Sequence, residues 1–125
     1  MKASTAAASS VATVSPSNVV EGNCGFSYVY EYGVGNRSVE LYTGYSVVSD
    51  VIAWSWQVRL DDRGGSSYKN WLGHTNLGTW QTVTIVSGLS IGPARATVIP
   101  ANSYAILDTG VACMSLGPFA TTTIT

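Results

Sequence analysis

The stretch Val51–Leu60, VIAWSWQVRL, has the most regular hydrophobic pattern of the chain. Its side chains alternate with a period of two, as they do in a β-strand that is buried on one face. The face predicted to be buried carries Ile52, Trp54, Trp56, Val58 and Leu60. The turn-forming residues Asp61–Gly65 follow at once, so a hairpin is predicted there.

Working outward, several other segments show the same alternation, and none shows the periodicity of a helix. Phe26–Tyr32 and Val39–Thr43 flank the turn residues Gly33–Asn36, which predicts a hairpin. Tyr68–Gly78 is less regular and is interpreted as a long loop or a short edge strand. The remaining predicted strands are Thr79–Val86, Arg95–Ile99, Ser103–Leu107, Val111–Leu116 and Phe119–Thr125.

Eight or so short strands separated by turns favour an all-β fold, an antiparallel β-sandwich or a small barrel. We predict the sandwich, immunoglobulin-like in its general architecture, with an extended N-terminal arm. At 125 residues the chain fits one domain. The predicted organisation is a flexible or partner-docking arm over residues 1–20 and a single β-sandwich domain over residues 21–125.

The two cysteines, Cys24 and Cys113, lie near the two ends of the predicted sandwich. Their separation does not fit a zinc knuckle or a redox motif, so a disulfide is favoured over two separate buried thiols. Because disulfides persist in oxidising compartments, the chain is predicted to be secreted and extracellular.

Charged residues make up only 10 % of the chain, and the net charge is −1. No stripe of lysine and arginine exists that could neutralise phosphates, so neither nucleic acid nor an anionic membrane is an expected partner. The apolar stretches are interrupted by serine, glycine or threonine every few positions, which is unlike a membrane span.

Catalysis is not expected from this sequence. The single histidine, His74, has no nucleophile motif around any serine to work with, and it is interpreted as an exposed loop residue. One histidine and two bridged cysteines cannot form a transition-metal site, so no metal and no cofactor are predicted. The seven acidic residues, of which only Asp61 and Asp62 are adjacent, are spread over the chain, as solvated positions are.

Binding is better supported, because four tryptophans and seven tyrosines could form a platform on which a glycan stacks. The candidates for stacking are Tyr68, Trp71 and Trp80, which lie around the loop that contains His74, although core packing is the stronger expectation for Trp80. The alternating row Phe26, Tyr28, Tyr30 and Tyr32 remains open between core and surface, since buried phenols need hydrogen-bond partners.

The leader before Pro16 is rich in Ala, Ser, Thr and Val and carries one charge, Lys2. Such a segment can be a disordered remnant, or it can be recruited into an extended conformation by a partner. The second interpretation makes it a docking arm. The predicted contact residues of that arm are Ala3, Thr5, Ala7, Ser9, Val11, Thr13, Val14 and Ser15.

This layout, a small-residue leader, the start Asn23-Cys24-Gly25 of the β domain and a partner Cys113 near its end, resembles the adaptor subunits of bacterial umbrella toxin particles. The resemblance implies a small β-protein that joins a lectin-like subunit to a toxin-bearing chain, with its leader in a cleft of the lectin-like subunit. The expected function is therefore a non-catalytic secreted adaptor that binds other protein subunits. The alternatives are a carbohydrate-binding module and a protease-inhibitor-like binder.

Overall fold

A computed structural model of the chain describes residues 1–3 and 18–125. This part of the chain forms eleven strands and one 3-10 turn: β1 Lys2–Ala3, β2 Val19–Gly22, β3 Gly25–Gly35, β4 Ser38–Val47, β5 Val51–Asp62, β6 Gly65–Gly73, β7 Thr79–Val86, β8 Gly92–Val98, the turn Pro100–Asn102, β9 Tyr104–Leu107, β10 Ala112–Met114 and β11 Phe119–Ile124. Within the described ranges, no helix is long and apolar enough to cross a membrane.

The strands form two antiparallel sheets that pack as a sandwich, which confirms the predicted fold class. The smaller sheet has the order β2-β3-β4-β7, and the larger has the order β1-β10-β9-β5-β8-β11, with β6 added to β5. Strand β6 covers one edge of β5, while β9 and β8 share the other edge, one along its start and one along its end. Of the segment Tyr68–Gly78, predicted as a loop or a short edge strand, the first six residues belong to the nine-residue edge strand β6.

The core lies between the sheets, and the inward face of β5 supplies its centre. Trp56, Val58 and Leu60 are buried as predicted, and Trp54 packs against them. Ile52, however, is 47 % exposed, and Val51 takes the buried position instead. The cause is a β-bulge between Val51 and Ala53, because one extra residue reverses the faces that precede it.

A buried hydrogen-bond chain connects the two sheets through the centre of the core. The indole Nε1 of Trp56 donates to Oγ1 of Thr43 at 2.8 Å, and that hydroxyl donates to the carbonyl of Tyr28 at 2.8 Å. Both Trp56 and Thr43 are fully buried. The indole N–H can therefore be satisfied only as long as the threonine hydroxyl is present.

Thr43→Val is expected to lower the free energy of unfolding by about 1–3 kcal/mol, because it leaves a buried indole donor without an acceptor. Urea unfolding followed by tryptophan fluorescence measures this loss. Thr43→Ser is the matched control, since it keeps the hydroxyl and is expected to lose less. A valine variant as stable as the serine variant would show that the bond contributes nothing.

The hairpin predicted between Phe26 and Thr43 is present, but its turn lies further along the chain. Strand β3 continues through Gly35, and the reversal occurs at Asn36 and Arg37, with φ of 54° and 57°. Arg37 holds this unusual conformation because its amide donates to the carbonyl of Thr125 and its Nε donates to the carbonyl of Leu89.

Cys24 and Cys113 form a disulfide, as predicted, with a sequence separation of 89 and Cα atoms 6.0 Å apart. The strand β1 lies beside this bridge, because Ala3 pairs with Cys113 and the amide of Cys24 donates to the carbonyl of Met1. Met1 is fully buried in the core cluster. The first three residues are therefore part of the sandwich.

This placement corrects two expectations about the N-terminal arm. Ala3, predicted to contact a partner, is only 8 % exposed and pairs within its own sheet. The predicted boundary between residues 20 and 21 also shifts, because β2 already begins at Val19. The other predicted arm residues, Thr5, Ala7, Ser9, Val11, Thr13, Val14 and Ser15, lie outside the described residues.

Candidate binding surface

Strand β3 directs its aromatic side chains to the outside of the smaller sheet. Its inward side chains are Ser27, Val29 and Glu31, all buried, and the alternating pleat therefore places the row that contains Tyr28 and Tyr30 on the opposite face. Successive rings of this row contact each other, with centroids 6.4 Å apart for Phe26 and Tyr28 and 5.9 Å apart for Tyr28 and Tyr30. The question that the sequence left open is answered: this row is surface.

The neighbouring strands widen the row into a continuous surface. Tyr30 lies opposite Tyr42 on β4, which lies opposite Val83 on β7, so the three side chains share the outer face. We call this surface the tyrosine face and define it by Phe26, Tyr28, Tyr30, Tyr32, Tyr42, Gln81, Val83 and Ile85. Tyr32, Val83 and Ile85 are each more than half exposed.

A groove of about 510 Å³ crosses the tyrosine face between the tyrosines of β3 and β4 and the start of β7. The phenol of Tyr28 donates to Oε1 of Gln81 at 3.0 Å, and the phenol of Tyr42 donates to Oε1 of Glu40. Tyr32 packs edge-on against Tyr42 with ring centroids 5.7 Å apart. The rings are thus held in place by neighbours before any ligand binds.

Gly44 shapes this groove, because the ring of Tyr28 lies across it. A Cβ atom at position 44 would stand 2.8 Å from the Tyr28 phenol oxygen and 2.2 Å from the backbone carbonyl of Trp80. A larger residue therefore cannot occupy position 44 without displacing the ring or the strand.

The electrostatics of the tyrosine face are simple. Burial raises the pKa of Tyr28, with a smaller contribution from Tyr30, so the phenol stays protonated and serves as a donor. Glu21 and Glu40 lie beside the aromatic rows, opposite Phe26 and Tyr32. The arrangement offers stacking, phenol hydrogen bonds and a weakly negative rim.

The residues predicted to stack on a glycan do not form one patch. Trp71 lies opposite the buried Trp56 and faces inward, whereas Tyr68, three residues earlier on the same strand, faces outward. Trp80 also faces inward and packs against Trp54 and Trp71, with ring centroids 4.3 Å and 5.9 Å away. Trp71 and Trp80 therefore belong to the edge of the core, and Tyr68 stands apart from them.

The contribution of β7 to the surface was not predicted from the sequence. Gln81, Val83 and Ile85 alternate in the chain, and that period of two was the available signal. The alternation did not tell which of its two faces was buried. Among the described residues, no three His, Cys, Asp or Glu side chains are grouped as metal ligands would be.

Comparisons of the chain with models of known protein families, with curated proteins and with solved structures found no match.

Proposed function

We propose that this protein is a non-catalytic secreted adaptor that docks on another protein through the tyrosine face. The observation that carries the proposal is the exposed row of tyrosines continued by Val83 and Ile85 across the smaller sheet. Tyrosine is enriched in the centres of protein interfaces, since a rigid ring gives a large contact area and its hydroxyl a directional hydrogen bond.

The shape and composition of the face favour a protein over a small ligand. Val83 and Ile85 extend the aromatic surface to the edge of the sheet, where they would bury further apolar area against a broad partner. The low charge of the chain is consistent with a contact made by packing rather than by ion pairs.

The finer role, joining a lectin-like subunit to a toxin-bearing chain, rests on the resemblance to umbrella toxin adaptors. The disulfide supports an extracellular location, because an oxidising compartment preserves such a bridge. The leader of this chain would have to reach a partner from between two fixed points, since Ala3 and Val19 both lie in strands of the sandwich.

A second candidate is carbohydrate binding, and the groove between Tyr28 and Tyr42 is the observation that favours it. Tyrosine rings stack on sugar rings, and Gln81 adds an amide at the side of the groove. We rank it second because the exposed Val83 and Ile85 offer no hydrogen bonds to sugar hydroxyls.

The test is the double variant Tyr32→Ser/Val83→Ser, in which both changed side chains are more than half exposed and the fold should persist. With the protein as bait in the secreted fraction of its source, a partner is identified by mass spectrometry and its affinity is measured with purified components. The double variant should bind at least tenfold more weakly, because truncating the contacts that dominate an interface costs about 2 kcal/mol or more.

Leu77→Ser is the matched control, since Leu77 is also exposed but lies in the connection between β6 and β7, outside the tyrosine face. It should leave the affinity unchanged. Equal binding by the double variant and the wild type would reject the proposal. Tyrosine fluorescence changes on adding cellohexaose or chitohexaose, lost in the double variant, would favour the carbohydrate-binding function instead.

A further inference from the structure

The free edge of β6 is the most exposed stretch of regular structure outside the tyrosine face. Strand β6 pairs with β5 along one side, and no strand among residues 1–3 and 18–125 pairs with its other side. Its first six residues, 65–70, are all exposed. An edge of this length leaves a row of backbone donors and acceptors without strand partners.

The sandwich is open beside this edge, because β7 is an edge strand of the smaller sheet on the same side. At one end the gap between the two edges is closed by Trp71 and Trp80, whose ring centroids are 5.9 Å apart. At the other end a groove of about 450 Å³ lies between the first half of β6 and the connection formed by residues 86–90.

Glycine and serine make up most of the lining of this edge groove, which also contains Tyr68, Val86, Leu89 and two charged residues. Gly64, Gly65 and several serines leave room for another main chain. Asp62 is already engaged, since its carboxylate accepts from the amides of Gly64 at 2.7 Å and Ser90 at 3.1 Å. Lys69 lines the groove as well, and in the described part of the chain its ammonium has no ion pair and no hydrogen-bond partner.

We propose that β6 and the edge groove are a second docking site, which accepts an extended strand of a partner protein carrying a carboxylate opposite Lys69. Added strands gain main-chain hydrogen bonds from an unpaired edge, and the side chains beside the edge select among sequences. This inference rests on the proposed function, because an adaptor needs two separate surfaces, and β6 belongs to the sheet opposite the tyrosine face.

The same lysine argues against a second copy of this chain as the occupant. Lys69 is the central residue of the nine-residue strand Gly65–Gly73. Full antiparallel pairing of two β6 strands would therefore place Lys69 opposite Lys69, and like charges in directly opposed positions are destabilising. A strand with a central acidic residue turns that repulsion into attraction.

The test uses two synthetic peptides of alternating threonine and valine, one with glutamate and one with lysine at its centre. They are titrated into the ¹⁵N-labelled full chain and followed by amide chemical shifts. The glutamate peptide should shift the amides of residues 65–70 and 86–90 and bind at least tenfold more tightly than the lysine peptide. Lys69→Glu should reverse this preference, and Lys69→Arg should preserve it.

The proposal is overturned if neither peptide binds, if both peptides bind equally, or if the shifts fall on the tyrosine face. A concentration-dependent dimer whose contact maps to β6 also overturns it, because the occupant would then be a second copy. The double variant Tyr32→Ser/Val83→Ser should bind the glutamate peptide as the wild type does. The proposal for the tyrosine face and the proposal for β6 can therefore be rejected independently of each other.

Discussion

Replacing Cys24 and Cys113 together by alanine is expected to lower the free energy of unfolding by roughly 4 to 5 kcal/mol. The bridge closes a long loop, since the sequence separation of the two cysteines is 89, and cross-linking a loop of this length destabilises the unfolded chain by about that amount. Both cysteines are buried, so the loss of the two sulfur atoms from the core adds to the effect.

Urea unfolding of the oxidised protein, the reduced protein and the double alanine variant measures this contribution. The reduced protein is the control, because it keeps both sulfur atoms and loses only the bond between them. It should unfold at a urea concentration well below that of the oxidised protein. Equal midpoints with and without reductant would contradict the expectation.

Glu31→Gln is expected to remove a pH dependence of stability that the wild type carries. Glu31 faces the core from β3, is 4 % exposed, and neither carboxylate oxygen has a hydrogen-bond partner in the described structure. Burial raises the pKa of this carboxyl group to about 7, from an ordinary value of 4.5.

The direction of the pH dependence follows from the number of protons that the folded and unfolded states bind. Between pH 4.5 and 7 the folded protein keeps a proton on Glu31 that the unfolded chain has released, so stability falls as the pH rises through this window. A pKa shift of this size corresponds to about 3 kcal/mol of unfolding free energy. Above pH 7 the folded protein has lost all of this stability. Above pH 7 the glutamine variant should be more stable than the wild type by up to that amount.

The measurement is the difference in unfolding free energy between wild type and Glu31→Gln at several pH values from 4 to 8. Burial also lowers the pKa of the Met1 amino group to about 6, so this group makes stability rise with pH between 6 and 8. Because Met1 is present in both proteins, its contribution cancels when the variant is compared with the wild type. Ser27→Ala, which changes a buried side chain of the same strand that does not titrate, is the control and should differ from the wild type by a constant amount. A constant difference between wild type and Glu31→Gln would contradict the expectation.

The sequence predicts the fold class well, because alternation is a local property that each strand displays by itself. Trp56, Val58 and Leu60 are buried as the pattern indicates. Ile52 is not, because a bulge changes the phase of a strand without changing its composition. Residues on both sides of the bulge are apolar, so the sequence does not show which of them face the core.

The binding surface was harder to predict, because in β3 the more hydrophobic row of side chains is the exposed one. The outward row carries Tyr28 and Tyr30, whereas the inward row carries Ser27 and Glu31, which are more polar. Only the position of β3 within the sandwich decides which row is covered. Tyr68 and Trp71 face opposite sides because both lie in one strand, three positions apart, in a segment that the sequence predicted as a loop or a short edge strand.

Cys113 forms the disulfide with Cys24 and also pairs with Ala3 of β1. The covalent bridge and the hydrogen-bonded strand pair therefore meet at one residue. Breaking the sulfur bond would release the restraint on both neighbours of β1 at once. The amide of Ala3, which donates to the Asn23 side chain at 2.9 Å, should then exchange its hydrogen with solvent much faster. Hydrogen exchange at Ala3 would then measure whether the bridge between Cys24 and Cys113 is formed.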